Sequence, residues 1–307
     1  MIDALIRTIP LSAWLPLRKM IFEQKRGHPG RLAATALLRR AALAHRHRLS
    51  GALTEIRPID MPDLSFEPAD SMVIDAVFWF GVRGYEGVVA KTWIGLCAQS
   101  HAVLEIGGNV GLFTVIGARA APGAYTVVEP VPAVAATLRA NLARNGLTRV
   151  DVRQAAVVAG DTPRMVQMNL PDEGRGMPVG AHLLEGVEVQ DRSSLTHLSV
   201  QGLPIRQLAQ GRDLIKIDAE GIEAVLLGDI HDMLVAERPT LLIEILPEAV
   251  QLGALLASLA AQAGYSIFVL PEFGSDDIVT VPAASFTSAV PGRYNAKDIV
   301  LSTRPLA

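Results

Sequence analysis

The 307-residue sequence has little from which to build a disulfide framework, a membrane span or a general polyanion-binding surface. It holds one cysteine, Cys97, so no internal disulfide can form, and a reducing compartment such as the cytoplasm is expected. No apolar run reaches the roughly 18–20 uncharged residues that cross a bilayer. Arg7 and Pro10 interrupt the first apolar stretch, and no small-residue cleavage pattern follows it closely, so a cleavable leader is not expected. The formal charge of −3 is the wrong sign for a general nucleic-acid binder. The scattered histidines show no zinc-ligand spacing, and no metal site is expected. Half of the residues are hydrophobic, enough for one large core with or without an extension.

Charge is unevenly spread. Residues 1–50 carry ten Lys or Arg against two acids, Asp3 and Glu23, which leaves the remainder markedly acidic. Ile2, Leu5, Ile6 and Ile9 follow helical spacing, as do Trp14, Leu17 and Ile21, with Arg18, Lys19, Lys25 and Arg26 among them. Two readings stand: a helical extension packed on the main domain or on a second copy of the chain, or a peripheral contact with the inner face of a membrane. The expected division is residues 1–70, a basic helical extension and proline-rich linker, followed by a catalytic domain over residues 71–307. The segment around Gly84, Tyr85 and Glu86 reads as a short strand or turn leading into a helix.

From His101 onward, apolar strands alternate with helices, the pattern of a parallel sheet covered on both faces. Strands are expected up to Ile106, up to Val128, over Val150–Val158, Leu214–Ile217, Thr240–Ile245, Tyr265–Leu270 and Asp298–Ser302. Residues 160–210 read as a hairpin or loop insertion ending in a short helix.

The most informative run is VLEIGGNVGLFTVIGARAAPGAYTVVEP, Val103 to Pro130. A buried strand leads into Gly107, Gly108 and Gly111, whose freedom lets the backbone turn tightly and leaves its N–H groups free to approach a ligand. A second strand delivers Glu129 about 20 residues on, where a carboxylate can accept both hydroxyls of a ribose. The alternative for Glu129 is an acid favoured by the dipole of the helix after Pro130. Asn109 stands where a dinucleotide fingerprint needs its second glycine. Glu105 puts negative charge where a pyrophosphate would suffer and an ammonium or sulfonium would gain. A nicotinamide-dependent oxidoreductase is therefore disfavoured.

GGNVGLFT with Glu105 before it resembles the D-x-G-A-N-x-G-x-[FY]-[ST] motif of FkbM-type S-adenosylmethionine-dependent methyltransferases. Glu105 replaces the usual aspartate and Gly108 the usual alanine. LIKIDAEGIEAVLLGD, Leu214 to Asp229, is similar to the family's L-K-[IL]-D-x-E-G-x-E signature. VVEPVPAVAATLRANLARNGL resembles its E-P-x-P segment with Leu138, Asn141 and Asn145, and GRYNAKDIV resembles its closing segment. The resemblance implies a Rossmann-like class I methyltransferase sheet of order 3-2-1-4-5-7-6, last strand antiparallel, with S-adenosylmethionine as cofactor. It implies O-methylation of a hydroxyl-bearing acceptor: a sugar, glycolipid, polysaccharide or natural product; the charge already argues against a nucleic-acid partner. The alternatives are N-methylation or a non-catalytic cofactor-binding scaffold, and a homo-oligomer is compatible with either.

The expected cofactor-binding residues are Glu86, Glu105, Gly107, Gly108, Asn109, Gly111, Phe113, Glu129, Pro130, Gln154 and Asp218. The resemblance implies a helix flanking the cofactor pocket, which would put Glu86 near the methionine moiety; the alternative is an exposed acid opening that helix, favoured by its dipole. Gln154 with Ala155 is expected to border the adenine. Asp218 and Glu220 are the candidate bases for the acceptor's proton. Their alternatives are an electrostatic role toward the cofactor's ammonium and helix capping, respectively. Lys216, in so apolar a strand, needs a partner, and Glu105 is the expected one. Tyr294 and Asn295 have two readings, a contact with substrate or a turn before an edge strand, and the turn is preferred.

Overall fold

A computed structural model describes residues 6, 8–23, 29–45, 49–171, 182–183, 195–219, 221–272 and 277–306. The strands are β1 (Ala102–Ile106), β2 (Ala124–Val128), β3 (Asp151–Arg153), β4 (Ala156–Val158), β5 (Arg164–Pro171), β6 (His182–Leu183), β7 (Leu195–Pro204), β8 (Leu214–Ile217), β9 (Thr240–Glu244), β10 (Ser266–Leu270), β11 (Val279–Val281) and β12 (Asp298–Ser302). The main sheet runs β11-β10-β12-β9-β8-β1-β2-β3. Pairing is parallel from β3 to β9, while β12 lies antiparallel to both β9 and β10. Numbered along the main sheet, this is the expected order 3-2-1-4-5-7-6 with the last-formed strand reversed. β11 is an additional edge strand.

Alternation along the strands explains why both faces are covered. In β1, Val103 packs with the N-terminal helices and with the helices Val82–Ala98, Leu112–Ala120 and Pro132–Arg144. Leu104 and Ile106 face the other layer, which holds Ile205–Ala209, Glu223–Asp229, His231–Glu237 and Val250–Ala263. Glu105 and its register partner Lys216 on β8 therefore share the first face. Two acid–base side chains thus stand at the carboxyl ends of neighbouring strands.

Four expectations change. The strand expected over Val150–Val158 is broken: after Arg153 the chain leaves the main sheet, and β4 joins a second sheet of order β4-β7-β5-β6. The carbonyl of Arg153 accepts from both Glu129 and Ala155 N–H, which turns the chain at that point. The strand or turn expected near Glu86 is instead a kink inside a helix, with Glu86 at φ −137°, ψ 64°. A further helix, Met72–Phe80, precedes it. β12 is not an edge strand, because β10 and β11 lie outside it.

The linker is anchored to the body. Ile56, Leu64 and Phe66 are buried, and Ile56 bridges Phe66. Asn145 exchanges hydrogen bonds with Ser65, and Asn141 Oδ1 accepts from Glu67 N–H while its Nδ2 donates to the Val110 carbonyl. The two asparagines singled out in the sequence thus tie the linker to the glycine turn. The N-terminal helices Leu15–Glu23 and Pro29–Ala44 pack onto Met72–Phe80 through Trp14, His45 and Trp79, and the Arg18 guanidinium lies 4.0 Å from the Phe78 ring centre. Ile2, Leu5, Lys25 and Arg26 lie outside the described residues. No helix among the described residues is long and apolar enough to cross a membrane.

Candidate active site

A cleft opens at the carboxyl ends of β1, β2, β8 and β9, where an open α/β sheet reverses its order and binds ligands. Its floor is the glycine turn. Gly107 adopts φ +84°, and a Cβ there would stand 2.0 Å from the Asp218 carbonyl oxygen, so the turn and the β8 terminus touch backbone to backbone. At Gly108 a Cβ would meet Val127 Cγ2 at 2.4 Å and Leu138 Cδ1 at 2.7 Å.

The N–H groups of this turn are not free, contrary to expectation. Those of Gly107 and Gly108 donate to the Val128 carbonyl, and that of Gly111 to Gly108. Asn109 N–H donates to Glu129 Oε2 at 2.9 Å, and Val110 N–H to Asn109 Oδ1 at 2.7 Å. Asn109 itself sits in the left-handed region, φ 47°, which its short amide tolerates. No backbone N–H of these five residues is left for a pyrophosphate. The turn thus offers no backbone cradle of its own, and the cleft is defined by its acids.

Glu129 ends β2 and is 6% exposed. Its second oxygen accepts from Val131 N–H at 2.9 Å, so the carboxylate is held at both ends by backbone donors. Each oxygen keeps a further lone pair toward the cleft. Burial pushes the Glu129 carboxyl up to about 7, against the pull of those two hydrogen bonds. Glu105 is fully buried, accepts from the Tyr125 hydroxyl at 2.5 Å, and has no hydrogen-bond partner for Oε1 among the described residues. Burial raises it also to about 7, opposed by the charge of Lys216.

Lys216 pairs directly with Asp218, not with Glu105: Nζ donates to Asp218 Oδ2 at 3.1 Å and lies 5.2 Å from the Phe113 ring centre. Asp218, two residues further on, extends to the same charge. Burial favours its protonated form, but Lys216 outweighs this and holds the carboxyl below its usual range. On β9, Glu244 accepts from Lys297 Nζ at 2.7 Å, and the same ammonium stands 3.2 Å from Glu86. Burial and the neighbouring Asp218 raise Glu244. The cleft is thus lined by Glu86, Glu105, Glu129, Asp218 and Glu244 against two lysines, a setting that suits a cationic ligand.

No protein-family model matches the chain, and no curated protein matches it. Several solved methyltransferase structures show partial similarity to the chain. They include methyltransferase FkbM from Methylobacillus flagellatus KT, 15% identical, with a TM-score of 0.38 over 66% of this chain and 43% of that one. The O-methyltransferase from Bacillus cereus in complex with SAH is 14% identical, with a TM-score of 0.37 over 70% and 78% of the two chains. The tRNA (uracil-54, C5)-methyltransferase of Pyrococcus abyssi is 12% identical, with a TM-score of 0.41 over 81% and 44%. The chain therefore spans less than half the length of the first of these. The functional conclusion rests on the geometry of the cleft.

Most of the expected residues meet there: Glu86, Glu105, Gly107, Gly108, Asn109, Phe113, Glu129, Pro130 and Asp218 all line the cleft. Gly111 lies at the base of the turn against Leu138. Gln154 does not join them. It is exposed and accepts from Arg139 at 3.3 Å, because the chain turns toward the second sheet there, and Ala155, Ala156 and Val157 face the cleft instead. Glu220 lies outside the described residues. Glu223 caps its own segment, accepting from Ala219 and Gly221 N–H. Tyr294 and Asn295 form a turn, Asn295 at φ 52°, and it is Lys297 that reaches the cleft. Sequence reasoning missed Lys297 and Met168. Lys297 carried a signal, a lysine opening an apolar strand, whereas Met168 arrives through the second sheet and carried none.

Proposed function

We propose that the cleft binds S-adenosylmethionine and that the protein transfers its methyl group to a hydroxyl of a polyhydroxylated acceptor: a sugar, glycolipid, polysaccharide or natural product. One observation carries this reading. The turn spends every N–H from Gly107 to Gly111 internally, while five carboxylates line the space above it. Such a site repels a pyrophosphate and attracts a cation. The unpartnered Oε1 of Glu105 suits a ligand ammonium, and the spare lone pairs of Glu129 suit a ribose diol. Ala155, Ala156, Val157 and Met168 offer an apolar wall for a base. When bound, S-adenosylmethionine supplies a methyl group activated on a sulfonium.

The residues of this chain would then position the acceptor and take its proton. Glu86, Lys297 and Glu244 form a rim of hydrogen-bonding groups that suits hydroxyls. Asp218 stays ionised beside Lys216, which makes it a weaker proton acceptor than Glu244. Asp218→Asn and Glu244→Gln should each lower turnover, by about 10²-fold or more for the residue acting as base. Both should leave affinity for S-adenosylhomocysteine within a few-fold. Methyl transfer to a panel of sugar and glycolipid acceptors checks the first outcome, and calorimetry the second.

The reading itself is tested by calorimetry with S-adenosylhomocysteine and with NADH. Saturable binding of the first and none of the second is expected. Uptake of NADH alone would overturn it.

A further inference from the structure

We infer that the outward faces of the helices Leu15–Glu23 and Pro29–Ala44 form a docking surface for an anionic lipid bilayer. The inference does not depend on methyl transfer. Which faces point outward follows from what is buried. Trp14, Arg18 and Ile21 on the first helical segment, and Ala34, Leu38 and Ala41 on the second, recur at helical spacing and are buried against the body. The opposite sides carry apolar side chains in solvent: Leu43 is 72% exposed, and Leu15, Met20 and Leu37 are exposed as well. Arg39 and Arg40 are exposed on either side of the line that ends at Leu43, and on the first helix the Lys19 ammonium pairs with Glu23 at 3.6 Å.

Charge selects the occupant. From Gln24 to Thr54 the chain has no aspartate or glutamate and seven Lys or Arg, in a protein that is otherwise acidic. Among the described side chains of the two helices the exposed charges are Lys19, paired with Glu23, and Arg39 and Arg40, a net positive surface that attracts an anionic headgroup plane and repels a second copy of itself. Leucine and methionine interleaved with the cations favour a bilayer over a nucleic acid. Polyanion grooves use cations with stacking aromatics, and Trp14, the tryptophan of this layer, is buried. The surface also lies one helix from the cleft. In Met72–Phe80, Phe78 sits under Arg18 while Val73 lines the cleft.

Flotation of the full chain with vesicles tests this. Binding is expected to phosphatidylcholine vesicles holding about 30% phosphatidylglycerol, not to pure phosphatidylcholine, with release at about 0.5 M salt. The double variant Arg39→Glu/Arg40→Glu should lower partitioning by about 30-fold or more, and Leu43→Ser by about tenfold, with circular dichroism unchanged. If the double variant does not fold, Arg40→Gln combined with Leu43→Ser carries the same test. Equal binding to neutral vesicles, or binding indifferent to these substitutions in folded protein, overturns the inference. So does retention on duplex DNA or RNA without flotation.

Discussion

Glu129→Ala should weaken S-adenosylhomocysteine binding by about 100-fold, on the order of 3 kcal/mol, because hydrogen bonds to a charged acceptor each contribute about 1.5–3 kcal/mol. The loss has two sources. The ribose acceptor disappears, and Asn109 and Val131 N–H lose the carboxylate that pins the turn to β2. Glutamine is not a rescue, since one of its two head atoms is a donor and would face one of those N–H groups. Calorimetry should therefore find Glu129→Gln nearly as weak as alanine. A Gln variant with native affinity would show that neither the charge of Glu129 nor its double hold on Asn109 and Val131 N–H matters to binding.

The same carboxylate sets a pH dependence. Glu129 and Glu105 hold their protons to about 7, above the ordinary 4.5. A protonated acid cannot receive a ribose hydroxyl as strongly or attract an ammonium, so affinity should fall below pH 7, by up to about tenfold per unit for each group. Stability without ligand should move the other way. The unfolded chain releases these protons near 4.5, so the stabilisation present below that value is lost as pH rises through about 7. Melting of the free protein should thus be higher at pH 5 than at pH 8, and ligand should narrow the gap.

Gly107→Ala should be strongly damaging. The left-handed φ costs a side chain about 1–2 kcal/mol, and the new Cβ would sit 2.0 Å from a backbone oxygen of Asp218 that no rotamer change can move. A loss on the order of 3–5 kcal/mol is expected, which for a chain of this size lowers the melting temperature by about 10 °C. Gly108→Ala meets only side-chain methyls, Val127 Cγ2 and Leu138 Cδ1, which can shift. It should cost about 1–2 kcal/mol. Thermal melts of the two variants side by side would check this order, and near-equal melting temperatures would count against it.

At Gly108, Val127 and Leu138 already fill the space a Cβ needs, which gives glycine a physical reason there. Asn141 and Asn145 were visible in the sequence as members of a motif, but their work, tying residues 65–67 and Val110 together, spans up to 80 positions and left no local trace. Glu86 lines the cleft, and its local structure is a kink inside a helix in place of the expected strand or turn. Its kink has no proline, and the helix on either side is sustained by packing such as Trp93 Nε1–H to the Phe113 carbonyl at 3.0 Å.

Periodicity and punctuation made the strands, the glycine turn and Glu129 legible, because those signals are local: apolar runs of strand length, glycines where the backbone must reverse, an acid at a strand's end. The order of the strands in the sheet is not local and came only with the family resemblance. Pairing partners were not legible. Lys216 had two carboxylates within reach along or across the sheet, and Lys297 gathers Glu86 and Glu244 from elements far apart in sequence. Whether the turn's N–H groups faced a ligand or the protein was likewise undecidable from residue types, since a hydrogen-bond donor takes whatever acceptor the folded chain brings to it. Here the chain brings Val128 and Glu129, and that leaves the cleft to its acids.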